Sequence, residues 1–338
     1  MSGFGSMLKD YLDYFKISQS DFADRLGISQ KHMNEIINGK TKISPELMVI
    51  ISLLTDIDPK VIYFAEHTKE VYEELISKYK DEKEINKMLN SYHLNDMVKN
   101  NWIRLRDKNS FVVNYIDLEE YMGINNFNNI DGYLEKRYLF KKGTNADHLK
   151  IFLWCRHCDL LTKGIEVCDY DSSRLGDLIN ELKIERMNKF DKDRLVNLFK
   201  KYGIILCIED ALKGSKVRGC VKVMVNTPAI YMTTYMKEKS SFYYTLYHEL
   251  MHLKKDYNKL KSKTMVEEDN EEKEVDLLAL SLMIDPSVYE QIKNDFDNKE
   301  KLAINNNIPL CFLYSRLAYD GLISYKSKEY QNNREKLI

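Results

Sequence analysis

The chain has 338 residues, with 51 Lys or Arg against 52 Asp or Glu, and 44% of it is apolar. That length and apolar content predict two or more domains with a real core, while a formal charge of −1 excludes a nucleic-acid partner held by bulk charge alone. No run approaches the ~18 apolar residues of a membrane span, and the N-terminus has no apolar signal region, so a soluble, cytoplasmic protein with no membrane partner is expected.

Only 13 Gly and 5 Pro interrupt a chain rich in Lys, Glu, Leu and Ile. The expected class is mainly α with a small β-sheet (α+β). Residues 1–66 read as a compact helical unit. A short helix at 7–15 precedes Ile17-Ser-Gln-Ser-Asp-Phe-Ala-Asp-Arg-Leu-Gly27, and then Ile28-Ser-Gln-Lys-His-Met-Asn-Glu-Ile-Ile-Asn-Gly39. Ser18 and Ser29 suit two helix N-caps. Gly27 suits the tight turn between the helices, and Gly39 the end of the second. Phe22, Ala23, Leu26, Met33, Ile36 and Ile37 supply a shared core, and further helices at 45–55 and 59–65 close the bundle. Helix, short Gly turn and helix is the plan of the helix-turn-helix.

These residues resemble the XRE class of helix-turn-helix domains, and the segment from Asn38 to Leu47 is similar to the HigA type of antitoxin-repressor. The resemblance implies a double-stranded DNA operator, with the helix after Ser29 in the major groove. It places Gln30, Lys31 and Asn34 against bases, and Gln19, Asn38, Lys40 and Lys42 against phosphates. Residues 1–65 hold seven basic and eight acidic side chains, so non-specific attraction to phosphate is weak, and a homodimer would double a modest basic patch. A helical bundle kept for protein contacts is the alternative.

Residues 67–165 read as a helical connector. Cys155-Arg-His-Cys158 has a zinc-like spacing, but its surroundings at 149–161 form one amphipathic helix, so reduced, core-facing thiols are expected. The six Cys are too irregularly spaced for a disulfide framework. In 166–338 the pattern changes. Residues 174–199 read as helical, Gly203-Ile-Ile-Leu-Cys-Ile-Glu209 as a buried strand, and 219–225 with 228–234 as a hairpin. These strands offer a peptide an edge to pair with.

His248-Glu249-Leu250-Met251-His252 follows, in a segment whose Phe242, Leu246, Leu250 and Leu253 recur at helical spacing. Residues four apart share a helix face, so the two imidazoles can grip one metal with the Glu beside its open side. Zinc held by two His and a carboxylate keeps a position for water, and Glu249 would take that water's proton. After a charged, turn-like stretch at 254–270, a second helix pattern begins with acidic residues and ends at Pro286. Its start can supply the third ligand. Glu274 adjoins the face of Leu277 and Leu278, and Glu271 and Glu272 are rivals.

This C-terminal arrangement resembles the ImmA/IrrE metallopeptidase family, through 200–205, 214–219, 228–230, 242–253 and 272–279 and a tail at 304–323. Glu274-Val-Asp276 stands where that family has Glu-Ala-Asn or Glu-Ala-Asp, which selects Glu274 as third ligand. Met251 and Val275 replace common small residues, and Asp285 before Pro286 looks like an insertion. The resemblance implies Zn2+ on His248, His252 and Glu274, with Glu249 as general base. Arg316 and Tyr247 are candidates for a second stabiliser of the carbonyl. The expected protein is a bacterial or phage regulator of stress, toxin–antitoxin or mobile-element genes that cleaves a protein substrate, a toxin or repressor partner. The alternative is a non-catalytic antitoxin or repressor whose zinc domain senses a signal or binds a partner.

Overall fold

A computed structural model describes residues 3–124, 127, 130, 147–262 and 269–337, without the side chains of 262 and 269–272. The described residues are mostly helical, with one three-stranded sheet among them. It divides into two compact units, 1–127 and 128–338.

The first unit opens with α1 (Phe4–Phe15), α2 (Gln19–Leu26), α3 (Gln30–Ile37), α4 (Pro45–Thr55) and α5 (Pro59–Lys78). Ser18 accepts from the Asp21 amide at 3.1 Å and Ser29 from the His32 amide at 3.2 Å, so both hydroxyls cap the helices they precede. Gly27 turns the chain at φ 69°. Phe4, Leu8, Phe22, Met33, Ile36 and Ile51 fill the core. The helix expected at 59–65 runs on to Lys78, because no Gly or Pro interrupts it, so the 66/67 boundary of the sequence reading falls inside α5. Three more helices follow among the described residues: α6 (Glu82–Ser91), α7 (Leu94–Lys99) and α8 (Phe111–Met122). α8 packs on α5, and His67 reaches Glu119 at 3.3 Å. The expected connector at 67–165 is therefore shared between the two units.

From residue 147 the second unit contains α9 (His148–Thr162), α10 (Leu175–Glu185) and α11 (Lys192–Lys201). The helix expected over 174–199 breaks in two, because Asp191 caps a fresh start by accepting from the Arg194 amide at 2.9 Å. Strand β1 (Ile205–Ile208) is parallel to β3 (Thr227–Met232), and β2 (Gly219–Met224) is antiparallel to β3, in the order β1-β3-β2. β2 is an edge. Side chains alternate across the strands. Leu206, Ile208, Val221, Val223, Ile230 and Met232 join the main core, in which α12 (Lys239–Ser262) packs on β2 and β3. Cys207, Cys220 and Tyr231 form one row on the other face. There Tyr231 donates to Asp159 of α9 at 2.7 Å, and the Cys155 and Cys220 sulfurs lie 3.8 Å apart. Cys155 and Cys158 are buried thiols, and the contact with Cys207, together with burial, pushes the Cys158 thiol far up.

The chain ends in α13 (Asp269–Met283), α14 (Pro286–Asn294), α15 (Lys299–Asn305), α16 (Leu310–Tyr319) and α17 (Lys328–Asn332). Pro286 does more than stop a helix. It is the first residue of α14, capped by Asp285, which accepts from the Ser287 amide at 2.9 Å. Buried Arg186 donates to the carbonyls of Leu282 and Met283 at 2.8 and 3.0 Å, and so satisfies the end of α13.

Candidate metal centre

Phe242, Leu246, Leu250 and Leu253 bury one stripe of α12, which aims His248 and His252 away from that core on the neighbouring face. The helix does not stop at 253 as the sequence reading had it. It continues to Ser262, since nothing in 254–262 breaks it. That extension places Asp256 one turn beyond His252.

The two histidines converge. Their Nε2 atoms lie 3.0 Å apart. Two nitrogens bound to one tetrahedral zinc at about 2.0–2.1 Å stand roughly 3.3 Å apart, so this pair fits a shared ion. Each ring is held from behind by a carboxylate. Asp276 of α13 lies 3.0 Å from His248 Nδ1, and Asp256 lies 3.4 Å from His252 Nδ1. The Asp256 contact is a hydrogen bond of the kind that fixes the tautomer leaving Nε2 for a metal, whereas Asp276 approaches His248 Nδ1 without hydrogen-bond geometry. Asp276 in turn accepts from the Tyr244 hydroxyl at 2.7 Å, and burial with this contact raises the Tyr244 pKa well above the usual phenol range. Asp256 is steadied by Lys259 at 3.3 Å.

Glu249 is buried. Its carboxylate lies against the start of β2, where a Cβ on Gly219 would come within 3.0 Å of Oε1. Gly219 therefore leaves room for the acid beside the edge strand.

Glu274 is elsewhere. Its side chain is 63% exposed and pairs with Lys255. Glu274 and Asp276 are two residues apart, about 200° around a helix, so the face that sends Asp276 to His248 turns Glu274 away. The rival ligands Glu271 and Glu272 have side chains outside the described residues. Among the described residues, no group of three His, Cys, Asp or Glu could hold an ion. Tyr247 lies fully buried in the core. Arg316 pairs with Asp320 at 2.9 Å and lies 4.7 Å over the Tyr289 ring. Sequence reasoning missed the roles of Asp256, Asp276, Tyr244 and Gly219. The i, i+4 spacing of His252 and Asp256 was a usable signal, while the others depend on how elements pack.

In the first unit, Gln30, Lys31 and Asn34 are exposed on α3, and Gln19 is half-buried at the start of α2. Asn38 donates to the Asn34 side-chain oxygen at 2.6 Å, which couples a base-facing residue to a phosphate-facing one. Lys40 is exposed. Lys42 pairs with Glu70 of α5, whose carboxylate holds the ammonium pKa above its usual value.

Residues 8–62 match the helix-turn-helix family. No curated protein and no solved structure matches the chain. The first unit thus carries an XRE-type helix-turn-helix, the domain with which transcription regulators bind double-stranded DNA. No described helix is long and apolar enough to cross a membrane.

Proposed function

We propose that this helix-turn-helix protein is a regulator whose C-terminal unit is a zinc-dependent endopeptidase acting on a protein of its own regulatory circuit, a repressor or toxin partner in the cytoplasm. One observation carries the reading: two Nε2 atoms meet at 3.0 Å, each imidazole backed by a carboxylate, with a buried glutamate on the same helix. A purely structural site has no use for that glutamate.

His248 and His252 hold the metal, with a carboxylate from the first turns of α13. Glu274 is the proposed third ligand, reaching the ion once it leaves Lys255, with Glu271 and Glu272 as its rivals. Zinc bound there supplies Lewis acidity, which acidifies water and polarises a carbonyl. The edge of β2 aligns an extended peptide. Glu249 accepts, on a carboxylate oxygen, the proton that water gives up on attacking the peptide carbon, and returns it to the leaving amine.

The DNA-facing set is Gln30, Lys31 and Asn34 toward bases, with Gln19, Asn38, Lys40 and Lys42 toward phosphates. A homodimer is supported by the outer face of α4, where Val49, Ile50, Leu53 and Leu54 are exposed and Leu53 is 77% accessible. Stress, toxin–antitoxin or mobile-element genes are the proposed targets, through the HigA-like and ImmA/IrrE-like residues.

The test is co-expression of wild type or His248→Ala with the products of neighbouring genes, alongside elemental analysis of purified chains. The expected result is about one zinc per chain and cleavage of a partner, both lost in His248→Ala. Metal retained in Glu272→Ala but lost in Glu274→Ala assigns the third ligand to Glu274. Repression of transcription with no cleavage of any partner favours the non-catalytic sensor or antitoxin.

A further inference from the structure

Beside the histidines lies a cavity of about 490 Å³ that the chemistry above does not use. It falls in the size range of sites that bury an organic side chain. Its walls are largely apolar: Met236, Leu280, Met283, Tyr319 and Tyr325, with Tyr244 between the cavity and the site. Tyr244 donates to Asp276, and its ring centroid lies 6.3 Å from that of His248. Met236, Tyr319 and Tyr325 are exposed at the mouth, where exposed apolar area marks a place for a partner.

The charges on this cavity are arranged asymmetrically. Three guanidinium groups line it against one carboxylate, Glu238. Arg334 is held by Glu238 at 2.6 Å and by Gln331 at 2.8 Å, and Arg316 by Asp320 at 2.9 Å. Arg218 is exposed and has no ion-pair partner among the described residues. It directly precedes Gly219, against which the Glu249 carboxylate rests. Among the described residues, the cavity's cation without an ion pair is thus next in sequence to the glycine that meets the candidate base.

We propose that this cavity is the specificity subsite of the enzyme, taking a large apolar or aromatic side chain next to the cleaved bond, from a peptide with a carboxylate beside it for Arg218. The proposal rests on the peptidase reading. Apolar walls recognise the side chain by burial, and the guanidinium recognises the carboxylate with a forked pair of donors. Basic segments are repelled by the same group.

The experiment uses full-length Glu249→Gln protein and two fluorescein-labelled decapeptides, each with a central Leu-Phe, one flanked by Glu and the other by Lys. Fluorescence anisotropy should show the Glu-flanked peptide binding tighter by up to about fivefold, the upper range of an exposed ion pair. Arg218→Glu should invert that order. Leu280→Trp should fill the cavity and cost binding of both peptides, as should replacing the central Leu-Phe by Ser-Ser. Equal binding of the two peptides, indifference to Arg218→Glu, or no binding of either overturns the proposal. Charge-selective binding with no cleavage of these peptides by the wild-type chain overturns the assignment as an enzyme subsite and leaves the cavity as a peptide-binding site only. Cleavage without charge preference overturns the subsite and leaves the peptidase reading standing.

Discussion

The two units place their candidate residues in opposite environments. On α3 the candidate reading residues Gln30, Lys31 and Asn34 face solvent, and the core residues Met33 and Ile36 interleave with them along eight residues. The unit needs its core only to present one short helix. In the second unit, Glu249 is buried and both histidines are half-buried, with partners drawn from β2, α12 and α13. A surface that meets DNA works through charge and reach in water. A hydrolytic centre works through groups whose solvation is replaced by fixed partners. The difference teaches where each unit is vulnerable: the first through the packing that holds α3, the second through single polar atoms.

The largest effect should come from Glu249→Gln, which keeps size and helix propensity and removes the proton acceptor. Cleavage of a co-expressed partner should fall by about 10²–10⁴-fold. Zinc content and gel-shift affinity should not change, since neither depends on that carboxylate. A mutant that cleaves like wild type removes Glu249 from the chemistry.

In the first unit the most damaging small change is Gly5→Ala. A Cβ there would collide with the carbonyl oxygens of Ile36 and Ile37 at the end of α3. Overpacking of this kind costs roughly 1–3 kcal/mol. Circular dichroism should show a lower melting temperature, and DNA binding should weaken although no DNA-facing residue has changed. Unchanged melting would mean that α1 and α3 can separate freely.

Lys31→Ala and Asn34→Ala should weaken a specific operator by roughly 1–3 kcal/mol each if they reach base edges. Lys40→Ala should reduce the salt slope of binding by about one instead. Asn34→Ala also releases Asn38, so its effect and that of Asn38→Ala should be less than additive. Strict additivity in gel shifts would place the two residues on separate contacts.

Asp276→Ala keeps both histidines and removes the carboxylate behind His248. Zinc affinity should drop by about 10–100-fold, as for other partners of metal-bound imidazoles. Titration against a chelator measures it, and an unchanged affinity would show that the imidazole needs no support from α13. The smallest effect concerns the hairpin. Val225 turns it at φ 59°, 87% exposed, a conformation that costs a β-branched residue on the order of 1–2 kcal/mol. Val225→Asn should raise the urea midpoint of the second unit, and a fall would show that Val225 is not strained.

Much of this was written in local spacing. Ser18, Gly27 and Ser29 act within four residues of themselves, so the helix-turn-helix at 8–62 could be read directly. The pairing of His248 with His252 is likewise a property of one helix, because 3.6 residues per turn bring i and i+4 together whatever surrounds them. The hairpin of β2 and β3 was also legible, although its turn, at 225–226, was read one residue late. Tertiary packing decided the rest. The rotation of α13 against α12 chose Asp276 as the residue at His248 and sent Glu274 to Lys255, and no spacing within either helix fixes that rotation. The approach of β2 to α12 put Gly219 beside Glu249 across a separation of 30 residues. Closing α16 and α17 over the start of α12 gathered Arg218, Tyr244, Tyr319 and Tyr325 around one cavity. Short-range geometry follows from covalent bonding and hydrogen-bonded helices, and so is carried by a few neighbouring residues. The phase of one element against another follows from how whole faces bury together, and only the folded chain holds that information.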